Sequence, residues 1–218
     1  MEELLSYRLE DLVLFSLRSL NRMFQMYADE MLVWNLALAV AGTGLFLAVA
    51  IWKQARLYQL LLLYLAVCWG YVGGVFLKQY YLPLNPLLSV AVYAFYAQAV
   101  VLFCYALYQQ TVNVTRVQCL LAGLLILIAL AGITWNIPFI KPQLLGAGPD
   151  SLMLLTLLTL RLPARASRLT WLLYILPLAW IAFSFLTLLG LENLYIGYGV
   201  LAIIFCGAAF FPRKAKSA

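Results

Sequence analysis

Asp150 is the one acid between Glu30 and Glu192, and it stands beside an apolar segment. An ionised carboxylate is expensive to bury, so an acid inside a membrane faces a partner or water. Here it follows Gly146, Gly148 and Pro149, which interrupt regular helix, and it precedes the apolar run 152–160. That pattern suits a carboxylate facing an aqueous cavity at a broken helix, the device with which secondary transporters hold solutes. The plainer use is a helix start, in which Asp150 or Ser151 caps free amides while Gly-Pro makes the turn. Lys141 and Lys78 are the candidate countercharges. Gln98 and Asn136, with Asn35, are polar groups in or near apolar runs, and each needs a hydrogen-bond partner. Bonding between helices is their ordinary use; lining a solute path is the sharper one.

Other chemistry is thinly represented. The chain has no histidine, which excludes His-ligated metal sites, His-based triads and the usual near-neutral proton shuttle. Cys68, Cys104, Cys119 and Cys206 lie in or at the edge of apolar runs without CxxC spacing, as small packing residues do. No converging acids, Cys-based pair or ligand cluster is visible, so neither an enzyme nor a metal or other cofactor is expected.

The elements that position these residues follow from composition. Of 218 residues 66% are apolar and 10% charged, and the mean hydropathy is +0.97. A soluble domain of that composition could not cover its surface, so the expected class is an all-α integral membrane protein. A helix needs about 20 apolar residues to cross roughly 30 Å of hydrocarbon. Runs 31–52, 57–77, 118–140, 169–190 and 193–212 meet that length. A further span, 87–108, follows the turn Leu82-Pro83-Leu84-Asn85-Pro86. Segment 144–162 is ambiguous: it crosses as an interrupted helix, giving seven spans, or it re-enters, giving six. Seven is the favoured count.

Residues 1–30 carry too many charges to cross. Leu5, Leu9, Leu12, Leu20, Phe24 and Tyr27 gather near one helical face, which predicts an amphipathic interfacial helix that caps the bundle or docks a partner. The opening Met-Glu-Glu is unlike a cleavable signal, so the N-terminus is expected to be retained. The net charge of +6 is spread singly or in threes between apolar runs, as in loops on the cytoplasmic side and unlike a nucleic-acid footprint. Arg213, Lys214 and Lys216 make residues 213–218 a basic cytoplasmic tail. Arg161, Arg165 and Arg168 are placed to meet lipid phosphates. Gly70 and Gly74 form a GxxxG spacing that lets helices approach closely, within the monomer or in a homodimer. Trp34, Trp52, Tyr80, Tyr81, Tyr108 and Trp135 mark span ends as an interfacial belt, and Tyr93 and Tyr96 share a deeper face suited to core packing or to a lipid-tail pocket.

Several stretches resemble an uncharacterised bacterial membrane family, that of domain of unknown function 6064. They are Tyr7 to Tyr27, Trp69-Gly-Tyr-Val-Gly-Gly-Val-Phe-Leu-Lys-Gln-Tyr-Tyr-Leu-Pro-Leu-Asn-Pro86, Gly146-Ala-Gly-Pro-Asp150 and Gly190-Leu-Glu-Asn-Leu-Tyr-Ile-Gly197. The resemblance covers most of the chain and implies a bacterial inner-membrane protein; the family lends no activity. Leu77 stands where that family is expected often to carry a histidine before the aromatic pair, so no imidazole role transfers. Two functions are therefore expected. One is a small-solute permease using the interruption near Asp150. The other is an accessory or structural subunit that docks a membrane protein partner or lipid.

Overall fold

A computed structural model of the chain describes residues 15–108, 146–163 and 168–191, and its elements there are helices. Four are long and apolar enough to cross a bilayer: Leu32–Trp52, Ala55–Tyr81, Pro86–Ala106 and Leu169–Thr187. They fall on the expected spans 31–52, 57–77, 87–108 and 169–190. The expected spans 118–140 and 193–212, and the tail 213–218, lie outside the described residues.

Helix α1 (Leu17–Glu30) begins at Ser16, whose hydroxyl accepts from the Ser19 amide at 3.2 Å. Leu20, Met23, Phe24, Tyr27 and Ala28 recur at helical spacing and are buried, while Arg18, Arg22, Gln25 and Asp29 are exposed. Leu20, Phe24 and Tyr27 of the expected stripe share this buried face, whereas Leu5, Leu9 and Leu12 lie outside the described residues; the face packs on protein, with Phe24 stacked on Phe76 at 5.5 Å and Tyr27 meeting Phe76 and Tyr80 edge-on.

After Met31 the chain runs into α2 (Leu32–Trp52), which ends at a left-handed Lys53. Helix α3 (Ala55–Tyr71) passes directly into a π-helix (Val72–Tyr81), carrying the span beyond the exposed Lys78. The expected turn follows, with the Asn85 side chain accepting from the Leu87 amide at 3.2 Å, and α4 (Ser89–Ala106) returns.

The next described helix, α5 (Pro149–Leu160), is buried at every one of its 12 residues. Its sequence has no polar face, and a helix that is apolar all round belongs inside a bundle. It is roughly 18 Å long at 1.5 Å per residue, short of the roughly 30 Å hydrocarbon core. Thr156 turns its hydroxyl back to the Leu152 carbonyl at 2.7 Å and accepts from the Trp69 indole at 3.0 Å, so its polar atom is satisfied. The Tyr58 hydroxyl donates to the Thr159 carbonyl at 3.3 Å, which sets the end of α5 beside the start of α3.

Helix α6 (Arg168–Gly190) contains Pro177. A proline has no amide hydrogen to give the carbonyl four residues earlier, that of Leu173. Gln98 of α4 supplies the missing donor, its Nε2 lying 2.9 Å from the Leu173 oxygen. Tyr105 and Thr170 share a hydroxyl bond at 2.9 Å, placing the end of α4 beside the start of α6. The outward residues of the long helices, such as Val33, Trp34, Val90, Val100, Trp171 and Ile175, are apolar and exposed, the reverse of a water-facing surface.

Candidate functional site

The turn before α5 is irregular backbone inside the bundle, and such backbone persists in a membrane only where its polar groups find partners. Gly146 adopts φ +85°, the left-handed region, and a Cβ there would collide with the Tyr64 hydroxyl and approach the Cys68 sulfur to 3.2 Å. Tyr64 is held in place by donating to the Leu38 carbonyl at 2.8 Å. Tyr27 of α1 donates to the Ala147 carbonyl at 2.7 Å and lies 3.2 Å from Asn35 Oδ1, which also accepts from the Tyr71 hydroxyl at 3.0 Å. Burial, with Tyr71 beside it, pushes the Tyr27 hydroxyl far above the ordinary tyrosine range, so it stays a donor. Tyr27→Phe removes that donor from a buried carbonyl and should destabilise the protein by about 1–3 kcal/mol, read as a lowered thermal midpoint in detergent.

From this turn the chain enters α5 with Gly148 in the cap position and Pro149 as the first helical residue. The cap position expected at Asp150 or Ser151 therefore falls on Gly148. Gly148 brings no side chain to the cap, and the Ser151 hydroxyl donates back to the Gly148 carbonyl at 3.1 Å. With proline in the first turn, the helix starts two residues earlier than an Asp150 cap would allow and three earlier than a Ser151 cap. Asp150 instead sits inside the first turn, 2% exposed, where the positive end of the helix favours its negative charge.

The Trp180 indole N–H donates to Asp150 Oδ1 at 3.1 Å. Beside them lies a cavity of about 20 Å³, room for one water-sized species. Four elements wall it: Leu20 and Phe24 of α1, Phe76 and Tyr81 of the π-helix, Pro149 and Asp150 of α5, and Trp180, Phe183, Ser184 and Thr187 of α6. The π register brings Phe76 and Tyr81 together. Five residues apart in an α-helix they would point roughly 140° apart at 100° per residue. In the wider helix, where the Leu82 amide bonds to the Leu77 carbonyl at 2.8 Å, their ring centroids are 5.7 Å apart. Trp180 and Phe183 complete the aromatic wall at 5.4 Å from each other.

The other expected site residues divide. Gly146 and Gly148 form the turn beside Asp150. Gln98 is buried away from this cavity and serves the Leu173 carbonyl. Asn136 and Arg165 lie outside the described residues; Arg168 begins α6, and its side chain lies outside them too. Arg161 ends α5, half-buried. A Cβ on Gly70 meets nothing within 4 Å among the described residues, whereas one on Gly73 would lie 3.1 Å from Phe95 Cβ and one on Gly74 2.8 Å from the Tyr96 hydroxyl. The close approach to α4 is thus made at Gly73 and Gly74, in the π-helix that continues α3. Tyr93 and Tyr96 are exposed on α4 and line no pocket with Asp150. Tyr81, expected in the interfacial belt, is buried in the cavity wall, because the span runs on past Lys78.

Sequence reasoning missed the α6 wall. Its signal was the spacing 180, 183, 184, 187, one face of a helix carrying two hydroxyls among aromatic rings. No family model, curated protein or solved structure matches the chain.

Proposed function

We propose that this chain is a seven-span protein of the bacterial inner membrane that passes a small solute through the cavity at Asp150. The observation that carries the reading is a carboxylate buried in the first turn of a short, fully enclosed helix and facing a water-sized cavity built by four elements. The bacterial setting rests on the resemblance to the family of domain of unknown function 6064.

Seven crossings are supported by which helix ends meet. The Tyr58–Thr159 and Tyr105–Thr170 bonds gather the start of α3, the end of α4, the end of α5 and the start of α6 at one end of the bundle. Lys53, Arg56 and Arg161 therefore share that end, as they do if both 118–140 and 144–162 cross. In the six-span arrangement Arg161 would lie opposite Lys53 and Arg56. The basic end is cytoplasmic by the positive-inside rule, and the tail 213–218 joins it. Arg161, Arg165 and Arg168 would there meet lipid phosphates. An accessory subunit is less well supported, because the apolar face of α1 that would dock a partner already packs on Phe76 and Tyr80.

Single cysteines test both parts, in full-length protein whose four native cysteines are replaced by alanine. A membrane-impermeant thiol reagent should reach Leu162→Cys and Asp29→Cys from opposite sides. It should reach Ser184→Cys, in the cavity wall, from each side in turn as the protein cycles. Labelling of Leu162→Cys and Asp29→Cys from the same side overturns the seven-span count. A Ser184→Cys thiol closed to both sides overturns the permease and favours a subunit without a path.

A further inference from the structure

We infer that the segment Val72–Tyr81 has two helical registers, and that a slip from the π register to the α register unlatches α1 from the cavity at Asp150. The inference supplies the permease reading with its moving part and rests on it. Most π-helices are single turns, whereas this one runs for ten residues. Its last bond joins the Leu82 amide to the Leu77 carbonyl at 2.8 Å. The α register hands that amide to the Lys78 carbonyl.

The sequence fits both registers. In the π register the residue five beyond Phe76 shares its side of the helix, and that residue is Tyr81, with ring centroids 5.7 Å apart. In the α register the residue four beyond takes the place, and that residue is Tyr80. A slip of one residue therefore exchanges tyrosine for tyrosine. The start of the segment is doubled in the same way: Gly73 and Gly74 lie against Phe95 and Tyr96 of α4, so either can take the close position without a Cβ. Like residues in like places keep the two registers close in energy, as a two-state element requires.

The side chain whose partner changes is Tyr80. In the π register its hydroxyl donates to Glu30 Oε2 at 2.6 Å, on the last residue of α1. The α register carries Tyr80 onto the Phe76 side and breaks that bond, while the surplus residue passes into the turn before Asn85. Release of α1 matters because this wall is one helix thick. Leu20 and Phe24 line the cavity, and Arg18, Arg22 and Gln25 are exposed on the opposite face. The helix joins α2 through Met31, whose φ of −103° and ψ of 14° depart from regular helix, and it swings about that joint as a lid.

Amide hydrogen exchange of the full-length protein in detergent, read by mass spectrometry, tests the slip. The amides of residues 77–82 should exchange about tenfold faster than those in the middle of α3, because each slip opens them. Deleting Gln79, which is exposed, puts Tyr81 four positions after Phe76, so a plain α-helix then keeps that contact and one register remains. The deletion should slow exchange over 77–82 to the α3 level and slow thiol labelling of Ser184→Cys in the background without native cysteines. Tyr80→Phe keeps the ring and removes the latch, so it should raise both rates about fivefold. Exchange over 77–82 as slow as in α3, or exchange that neither variant changes, overturns the two registers. If the deletion does not fold, Tyr80→Phe decides alone, and unchanged rates overturn the proposal. Exchange that follows the variants while Ser184→Cys stays closed to both sides keeps the slip and removes the permease. Two-sided labelling of Ser184→Cys that neither variant alters keeps the permease and removes the latch.

Discussion

Gly146→Ala should lose roughly 3 kcal/mol or more of stability, enough to empty most of the folded fraction of a marginal membrane protein. Two terms act together. A φ of +85° strains any residue with a Cβ, by about 1–2 kcal/mol. The new methyl also collides with the Tyr64 hydroxyl, and Tyr64 has little freedom to retreat, because it donates to Leu38 and closes over Gly42 as well. The terms can be told apart. Asparagine tolerates left-handed backbone better than alanine, so strain alone would make Gly146→Asn the milder change. Collision predicts that Asn is no better, since its larger side chain enters the same space between Tyr64 and Cys68. Tyr64→Phe in the Gly146→Ala background should recover part of the loss, although alone it removes a hydrogen bond. Thermal midpoints of the four proteins in one detergent measure this coupling. A Gly146→Ala protein as stable as the parent would mean that the turn does not hold this conformation.

The spans were legible because the signal is simple. A bilayer demands a run of uncharged residues of fixed length, and 31–52, 87–108 and 169–190 show it without reference to any neighbour. Segment 144–162 was legible as a departure from that rule, and the structure gives the departure a form: a turn held by tyrosines from α1 and α3, then a helix too short to cross. The continuation of α3 through Lys78 was not legible. A charge normally ends an apolar run, and whether the backbone carries on as a π-helix depends on what Phe76 and Tyr81 pack against. Their partners Phe24 and Trp180 are distant in sequence.

The site was half legible for a related reason. Asp150 stands out in any reading, since a lone acid among leucines must be explained. Its surroundings do not stand out, because Trp180, Phe183 and Thr187 are ordinary residues for a membrane helix until a second helix faces them. The GxxxG spacing shows the same limit: it announces close approach, but it is Gly73, outside the motif, that meets the Phe95 backbone-proximal carbon most directly. Gln98 shows it again, from the other side. A polar side chain in a span was readable as needing a partner, and the identity of the partner follows from a proline in another helix.

That pairing yields the second large effect. Gln98→Leu should cost about 1–3 kcal/mol, because the Leu173 carbonyl is left with neither the amide that Pro177 lacks nor the side-chain donor that replaces it. The loss does not come from packing, since leucine is close to glutamine in size and is at home between apolar helices. Pro177→Ala restores the missing amide, so in that background Gln98→Leu should cost well under about 1 kcal/mol. A double-mutant cycle on thermal or denaturant unfolding therefore predicts a coupling of about 1–2 kcal/mol between residues on different helices. The same proteins carry a functional readout. Pro177 lies three residues before Trp180, whose indole holds Asp150. Regular helix through position 177 should therefore shift that indole and alter access of a thiol reagent to Ser184→Cys in the cavity wall even where overall stability is kept. If Gln98→Leu costs the same with proline as with alanine at 177, the carbonyl is not what Gln98 serves. The polar pair would then have to be explained by something on the far side of α4.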